Sequence, residues 1–239
     1  MKTLYLSTAY LDDLMVRMAH HSTAIEGNSL TQGETKSVLI DGYVPRAIDL
    51  RELNEVLNYK AFTKEMVRFL KEEREVNGEF IKEIHSILCR EAIESVPGKF
   101  KTQLNMVIGA DFTPSPPYRV PMDIEQWRQD LDYQLKNAAD ARTMVEAICR
   151  QHFRFERIHP FPDGNGRVGR ALMVYSALQQ KLPPIVIPVN EKKKYINFLN
   201  TEDLNGFVEF CLALQQKEVE RIKILADERD KVLEIYTEE

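Results

Sequence analysis

Within twelve residues, His159-Pro160-Phe161-Pro162-Asp163-Gly164-Asn165-Gly166-Arg167-Val168-Gly169-Arg170, the chain brings together an imidazole, a carboxylate, a glycine-flanked asparagine and two guanidinium groups. That set suits the handling of phosphate. Gly164-Asn165-Gly166 lets the backbone turn tightly and aim successive N–H groups at one point. The apolar run Val168, Ala171, Leu172, Val174 and Tyr175 predicts a helix that starts there. A helix N-terminus favours anions, because its first N–H groups lack intrahelical acceptors and its dipole is positive. Asp163 is a hard oxygen ligand suited to Mg²⁺ carried in by a nucleotide. Arg167 and Arg170, three apart, share a helical face, and each can fork onto a phosphate. His159, just before the turn, is the candidate general base. A Gly-Asn-Gly turn alone usually only leads into a helix; five polar groups in fixed order carry the chemical reading. The spacing is not that of a Walker A loop, since no Gly-Lys-Ser/Thr follows, nor of a dinucleotide fingerprint, since no strand with G-x-G-x-x-G precedes it.

These residues fill every constrained position of HxFx(D/E)GNGRxxR, and the chain thereby resembles the Fic family. The resemblance implies an all-α Fic fold, a helical bundle with a small β-hairpin flap over the active site. It also implies an enzyme that moves AMP from ATP, with Mg²⁺, onto a Ser, Thr or Tyr hydroxyl of a target protein. In that scheme His159 deprotonates the hydroxyl, Asp163 holds Mg²⁺, and the N–H groups of Gly164, Asn165 and Gly166 with the Asn165 side chain hold phosphates. Arg167 contacts the β-phosphate, Arg170 the γ-phosphate, and Phe161 is a buried anchor. The same motif implies two alternatives, a nucleotide-sensing regulatory module without chemistry and an enzyme that removes AMP.

Three further segments extend the resemblance over most of the chain. Ser22-Thr23-Ala24-Ile25-Glu26-Gly27-Asn28 is similar to the inhibitory motif (S/T)xxxE(G/N), which implies that Glu26, with Ser22, occupies Arg170. Read from the residues alone it is a helix end, with Gly27 or Asn28 left-handed. A glutamate on Arg170 would place negative charge where a γ-phosphate must sit. Gly98 to Gly109, followed by Phe112-Thr113-Pro114-Ser115-Pro116-Pro117, reads as an irregular β-hairpin with an edge open to strand addition. It looks like the Fic flap, on which an unknown target protein docks (residues 98–109) and whose Met106, Val107, Ile108 and Gly109 cover the nucleotide. Tyr195 and Asn200 fall where the family keeps residues lining the adenosine pocket, although Ile196 replaces a second tyrosine.

At 239 residues, with 44% hydrophobic and 29% charged, the chain is expected to form one sizeable globular unit. Its divisions are placed at 1–40 for N-terminal helices with the inhibitory motif, 41–216 for the catalytic core and 217–239 for a C-terminal helix. A net charge of −5 argues against nucleic acid and anionic membranes as partners. A second copy of the chain is a candidate partner. Three widely spaced cysteines point to reduced core thiols, and the lack of a secretory or membrane-spanning segment to a cytoplasmic protein. Apolar residues at helical steps predict helices through Leu50 to Ala61, Ile81 to Leu88, Ile124 to Leu135 and Ala141 to Ile158, the last delivering His159 at its end. Thr31-x-x-Glu34 has the form of a capping box, predicting a helix from Gln32 toward Ile40. Pro183 to Pro188 should be an extended connector, and a final helix should bury Val219, Ile222, Leu225 and Ala226 on one face. The spacings of His20, His21, His85 and His152 suit no compact metal site, and Lys192-Lys193-Lys194 reads as a solvated face.

Overall fold

The computed structural model describes residues 2–106, 112–227 and 229–237. Among them nine α-helices carry the fold: α1 Thr8–Ile25, α2 Gln32–Lys36, α3 Leu50–Lys71, α4 Gly78–Leu88, α5 Val120–Lys136, α6 Ala141–Ile158, α7 Asn165–Gln179, α8 Lys192–Thr201 and α9 Leu204–Ile224. Side chains that can replace a missing backbone acceptor start many of them. Ser7 Oγ accepts from Tyr10 N, Asn77 Oδ1 from Phe80 N, and Asp140 forms a capping box with Thr143. The Thr31–Glu34 capping box is present, and its helix runs on through a π-helical turn, Ser37–Asp41.

The apolar faces of α1, α3, α4, α5 and α7 meet in one core around Tyr59, Phe62, Phe80 and Tyr175. A second core, around Phe153, Tyr195 and Phe207, joins α6, α7, α8 and α9. Helix α7 contributes to both, which accounts for its burial on all sides and its position under the motif. Cys89, Cys149 and Cys211 are buried free thiols, and the buried segment Leu182 to Ile187 is the expected connector.

The sheet departs from expectation. Strands β1 (Lys2–Leu6) and β2 (Leu233–Thr237) pair antiparallel, with Lys2 opposite Thr237 and Leu6 opposite Leu233. The described part of the flap, 98–106, contains no strand. Its hydrogen-bonding groups turn inward instead: Lys101 N donates to Pro160 O (2.9 Å), and Asn105 Nδ2 to Phe161 O (2.9 Å). Likewise, α9 ends at Ile224, so Leu225 and Ala226 lie beyond it and position 217 lies inside it. Helix α1 is fastened to α9 by a buried network in which Arg17 forks onto Glu218 (2.6 and 2.9 Å) and Tyr10 Oη donates to the same carboxylate (2.6 Å).

Candidate functional site

Helix α6 delivers His159 in a left-handed conformation, φ 48° and ψ 60°, that a non-glycine residue rarely adopts. Its N–H still closes the helix on Phe155 O (2.9 Å). The ring Nδ1 lies 3.2 Å from Glu156 O. A carbonyl can only accept, so Nδ1 carries the proton and Nε2 keeps its lone pair. Burial, reinforced by the Lys101 charge, lowers the imidazole pKa to about 4. The ring is therefore neutral near pH 7, as a base must be.

Asn165 closes the turn that follows. Its Oδ1 accepts from Phe161 N and its Nδ2 donates to Phe161 O, both at 2.8 Å, and the residue is 2% exposed. The side chain thus fastens the loop with one lone pair and one N–H, which leaves its second N–H and the backbone N–H groups of α7 for an anion. Phe161 is fully buried and stacks on His85, centroids 3.8 Å apart. Gly98 N donates to His85 Nδ1 (2.7 Å), so the opposite nitrogen, Nε2, donates to Asp163 O (3.0 Å). Gly164, at φ 77°, caps α7, and a Cβ there would stand 2.4 Å from Cys89 Sγ.

The charged groups converge on the start of α7. Arg167 is 3% exposed, and its Nε and Nη1 have no hydrogen-bond partner; the nearest carboxylates, Glu55 and Asp163, stand 3.6 Å away. Unpaired buried donors are costly, and an anion at the helix N-terminus would satisfy them. Asp163 is largely exposed, and its Oδ1 accepts from Gly164 N (2.5 Å). Among the described residues no group of three or more His, Cys, Asp or Glu could hold a metal. One exposed carboxylate fits Mg²⁺ whose remaining ligands are phosphates and water, rather than a cage built from protein alone.

Arg170 is held from α1. Its Nε donates to Ser22 Oγ (2.9 Å), and its Nη2 to Ser22 O (3.0 Å) and Glu26 Oε1 (2.6 Å). Glu26 reaches it because α1 ends just there in a Schellman turn: Gly27 N donates to Ala24 O, Asn28 N to Thr23 O, and Gly27 takes φ 105°. Partial burial acts to raise the Glu26 carboxyl, but Arg170 outweighs it and holds the pKa below the ordinary value. A Cβ on Gly166 would stand 2.4 Å from Glu26 Oε1, so the glutamate lies against the first turn of α7.

The expected adenosine residues are not brought together. Tyr195 is 1% exposed inside the second core, its hydroxyl 2.9 Å from His152 Nε2, while Asn200 sits exposed five residues along α8. Five residues are about 140° past a full helical turn, so the two point apart. Met106 is exposed; Val107, Ile108 and Gly109 lie outside the described residues. Lys101 and Asn105 were not singled out from the sequence, and His85 was weighed only as a metal ligand, because each acts on a segment more than fifty positions away.

The Fic/DOC family model matches residues 75–177, which contain His85, Lys101, Asn105 and all of His159 to Arg170, while Ser22, Glu26 and Glu55 lie before the match. Protein adenylyltransferase fic-1 of Caenorhabditis briggsae is 30% identical over 211 residues, covering 84% of this chain and 40% of the relative. The chain thus spans about two fifths of the length of the curated relatives it matches. Two solved structures share the architecture. A Fic-domain-containing signaling protein from Bacteroides thetaiotaomicron has a TM-score of 0.81 at 24% identity, covering 95% of this chain and 90% of the other. Fic-1 from Caenorhabditis elegans has a TM-score of 0.75 at 27% identity, covering 92% and 66%. The matched segment holds His159 to Arg170 complete, and with it the chain carries a Fic/DOC family domain.

Proposed function

We propose that this chain is a self-inhibited protein adenylyltransferase. The target hydroxyl oxygen attacks the α-phosphorus of ATP in line, the bond from that phosphorus to the β-phosphate oxygen breaks, pyrophosphate leaves, and the hydroxyl proton passes to His159 Nε2. The observation that carries this reading is the neutral, correctly tautomeric His159 beside a helix N-terminus whose buried Arg167 keeps two N–H donors, on Nε and Nη1, without a hydrogen bond. Naming of the relatives as adenylyltransferases supports it. Mg²⁺, held by Asp163 and the nucleotide, would neutralise phosphate charge. Backbone N–H groups of Gly164 to Arg167 would cradle phosphates, and Arg170 would take the γ-phosphate once freed.

Glu26 is the brake in this account, since it occupies Arg170 with a charge of the same sign as the γ-phosphate. Among the described residues no helix is long and apolar enough to cross a membrane. The test is incubation of the chain and of its Glu26→Gly variant with labelled ATP and Mg²⁺, then mass analysis of the protein itself, with the variant's result decisive. Covalent AMP on a Ser, Thr or Tyr supports the reading; label bound but never covalently transferred favours a nucleotide sensor.

A further inference from the structure

The four consecutive carbonyls around the base, those of Ile158, His159, Pro160 and Phe161, all accept from two flap residues. Lys101 Nζ donates to Ile158 O (3.3 Å) and Lys101 N to Pro160 O (2.9 Å). Asn105 Nδ2 donates to Phe161 O (2.9 Å) and reaches His159 O at 3.5 Å. The two side chains are themselves joined, Lys101 Nζ to Asn105 Oδ1 at 2.6 Å. Lys101 is 4% exposed, an unusual setting for an ammonium group unless its donors are used.

The left-handed conformation of His159 needs such support. A backbone form of this kind costs about 1–3 kcal/mol and persists only where the surroundings over-determine it. The carbonyls at the end of α6 have lost their helical donors, and the flap supplies replacements. The polar partners of Arg167 and Arg170 are Glu55, Asp163, Ser22 and Glu26, so the hydrogen bonds of the clamp act on the base and leave the anion site's charges alone.

We propose that Lys101 and Asn105 are positioning residues that hold the 158–161 turn in the form that aims His159 Nε2 at the incoming hydroxyl. The proposal rests on the reading of His159 as the base. It makes the flap a support for the catalytic turn as well as the place where a target docks: Met106, next in the chain, is exposed while Asn105 grips the loop.

The test uses Lys101→Met, Lys101→Arg and Asn105→Ala, each combined with Glu26→Gly so that activity is measurable. kcat and KM for ATP are read by autoadenylylation, and the backbone conformation of His159 by its Cα chemical shift. Misplacement of a catalytic group can lower the rate by about a hundredfold, so Lys101→Met and Asn105→Ala should lower kcat about ten- to a hundredfold. KM for ATP should stay within about twofold, since neither residue meets the anion site. The His159 Cα shift should move away from its left-handed value, and Lys101→Arg, which keeps the donors, should restore both readouts. An unmoved shift with unchanged kcat overturns the proposal, as does a rise in KM at constant kcat. If the Glu26→Gly parent transfers no AMP, the proposed reaction fails, and the chemical shift alone still decides whether these residues hold the turn. Asn105→Ala serves if Lys101→Met does not fold.

Discussion

Glu26 and Arg170 are 144 positions apart in sequence, yet Glu26 Oε1 lies 2.6 Å from Arg170 Nη2. The contact joins the end of α1 to the first turns of α7, and Ser22 completes it from the preceding helical turn. The Arg17–Glu218 fork and the β1–β2 pairing hold α1 against the body of the protein. A release that moves only the last turn of α1 would therefore leave the core intact, whereas withdrawal of the whole helix would expose buried charge.

Loss of the base should separate chemistry from binding. In His159→Ala, AMP transfer should fall about 10²- to 10⁴-fold, the range for general-base catalysis. ATP affinity should change little, because the phosphate donors remain. Autoadenylylation rates and calorimetric ATP titration check this; unchanged transfer contradicts the assignment.

Asp163→Ala should remove the response of activity to Mg²⁺, as no second carboxylate of the motif can substitute. Titrating Mg²⁺ against transfer reads it out. A metal requirement identical to that of the original protein would show that the ligand lies elsewhere.

Two glycines on helices should respond in opposite directions to alanine. A Cβ on Gly169 would meet Glu156 Oε1 at 2.4 Å and His152 Cε1 at 3.1 Å, within the buried contact between α6 and α7. Overpacking there should destabilise by about 1–3 kcal/mol, despite the better helix propensity of alanine. A Cβ on Gly33 meets nothing within 4 Å, so Gly33→Ala should be neutral or stabilise by up to about 1 kcal/mol. Denaturant unfolding of both variants decides.

Acid should destabilise the fold before any carboxylate-dominated transition. Burial lowers His21, His85 and His159 to about 4 and His152 to about 3. Unfolded histidine titrates near 6.5, so between roughly 6.5 and 4 the unfolded chain binds more protons and stability falls as pH falls. Glu156 acts oppositely: burial raises it to about 7, and the folded chain binds its proton first. Four imidazoles outweigh one carboxyl. The unfolding temperature should drop between pH 6.5 and 4.5, and more steeply in Glu156→Gln; a constant value across that window contradicts this.

Much of this was legible because it is local. The capping box at Thr31, the end of α1 at Gly27 and the bounds of α6 all follow from contacts within a turn or two. The terminal sheet was not legible: it pairs Lys2 with Thr237, and neither segment shows alternation long enough to announce a strand alone. Nor was the second use of Asn165, which the motif aligns with phosphate binding and which also fastens the Phe161 backbone. The flap looked like a hairpin because its residues favour strands; its described part makes its bonds to the catalytic turn, which residue preference does not reveal.

The most direct test of the account is a comparison of autoadenylylation by the original chain, Glu26→Gly, Arg170→Ala and the double variant under saturating Mg²⁺ and ATP. A charge-assisted pair is worth roughly 1.5–3 kcal/mol, so freeing Arg170 should raise transfer about ten- to a hundredfold. Arg170→Ala should stay weak, and adding Glu26→Gly to it should restore nothing, because the glutamate acts through the arginine. Equal rates for the original chain and Glu26→Gly would contradict the account and leave the Glu26–Arg170 contact as an ordinary ion pair at a helix end.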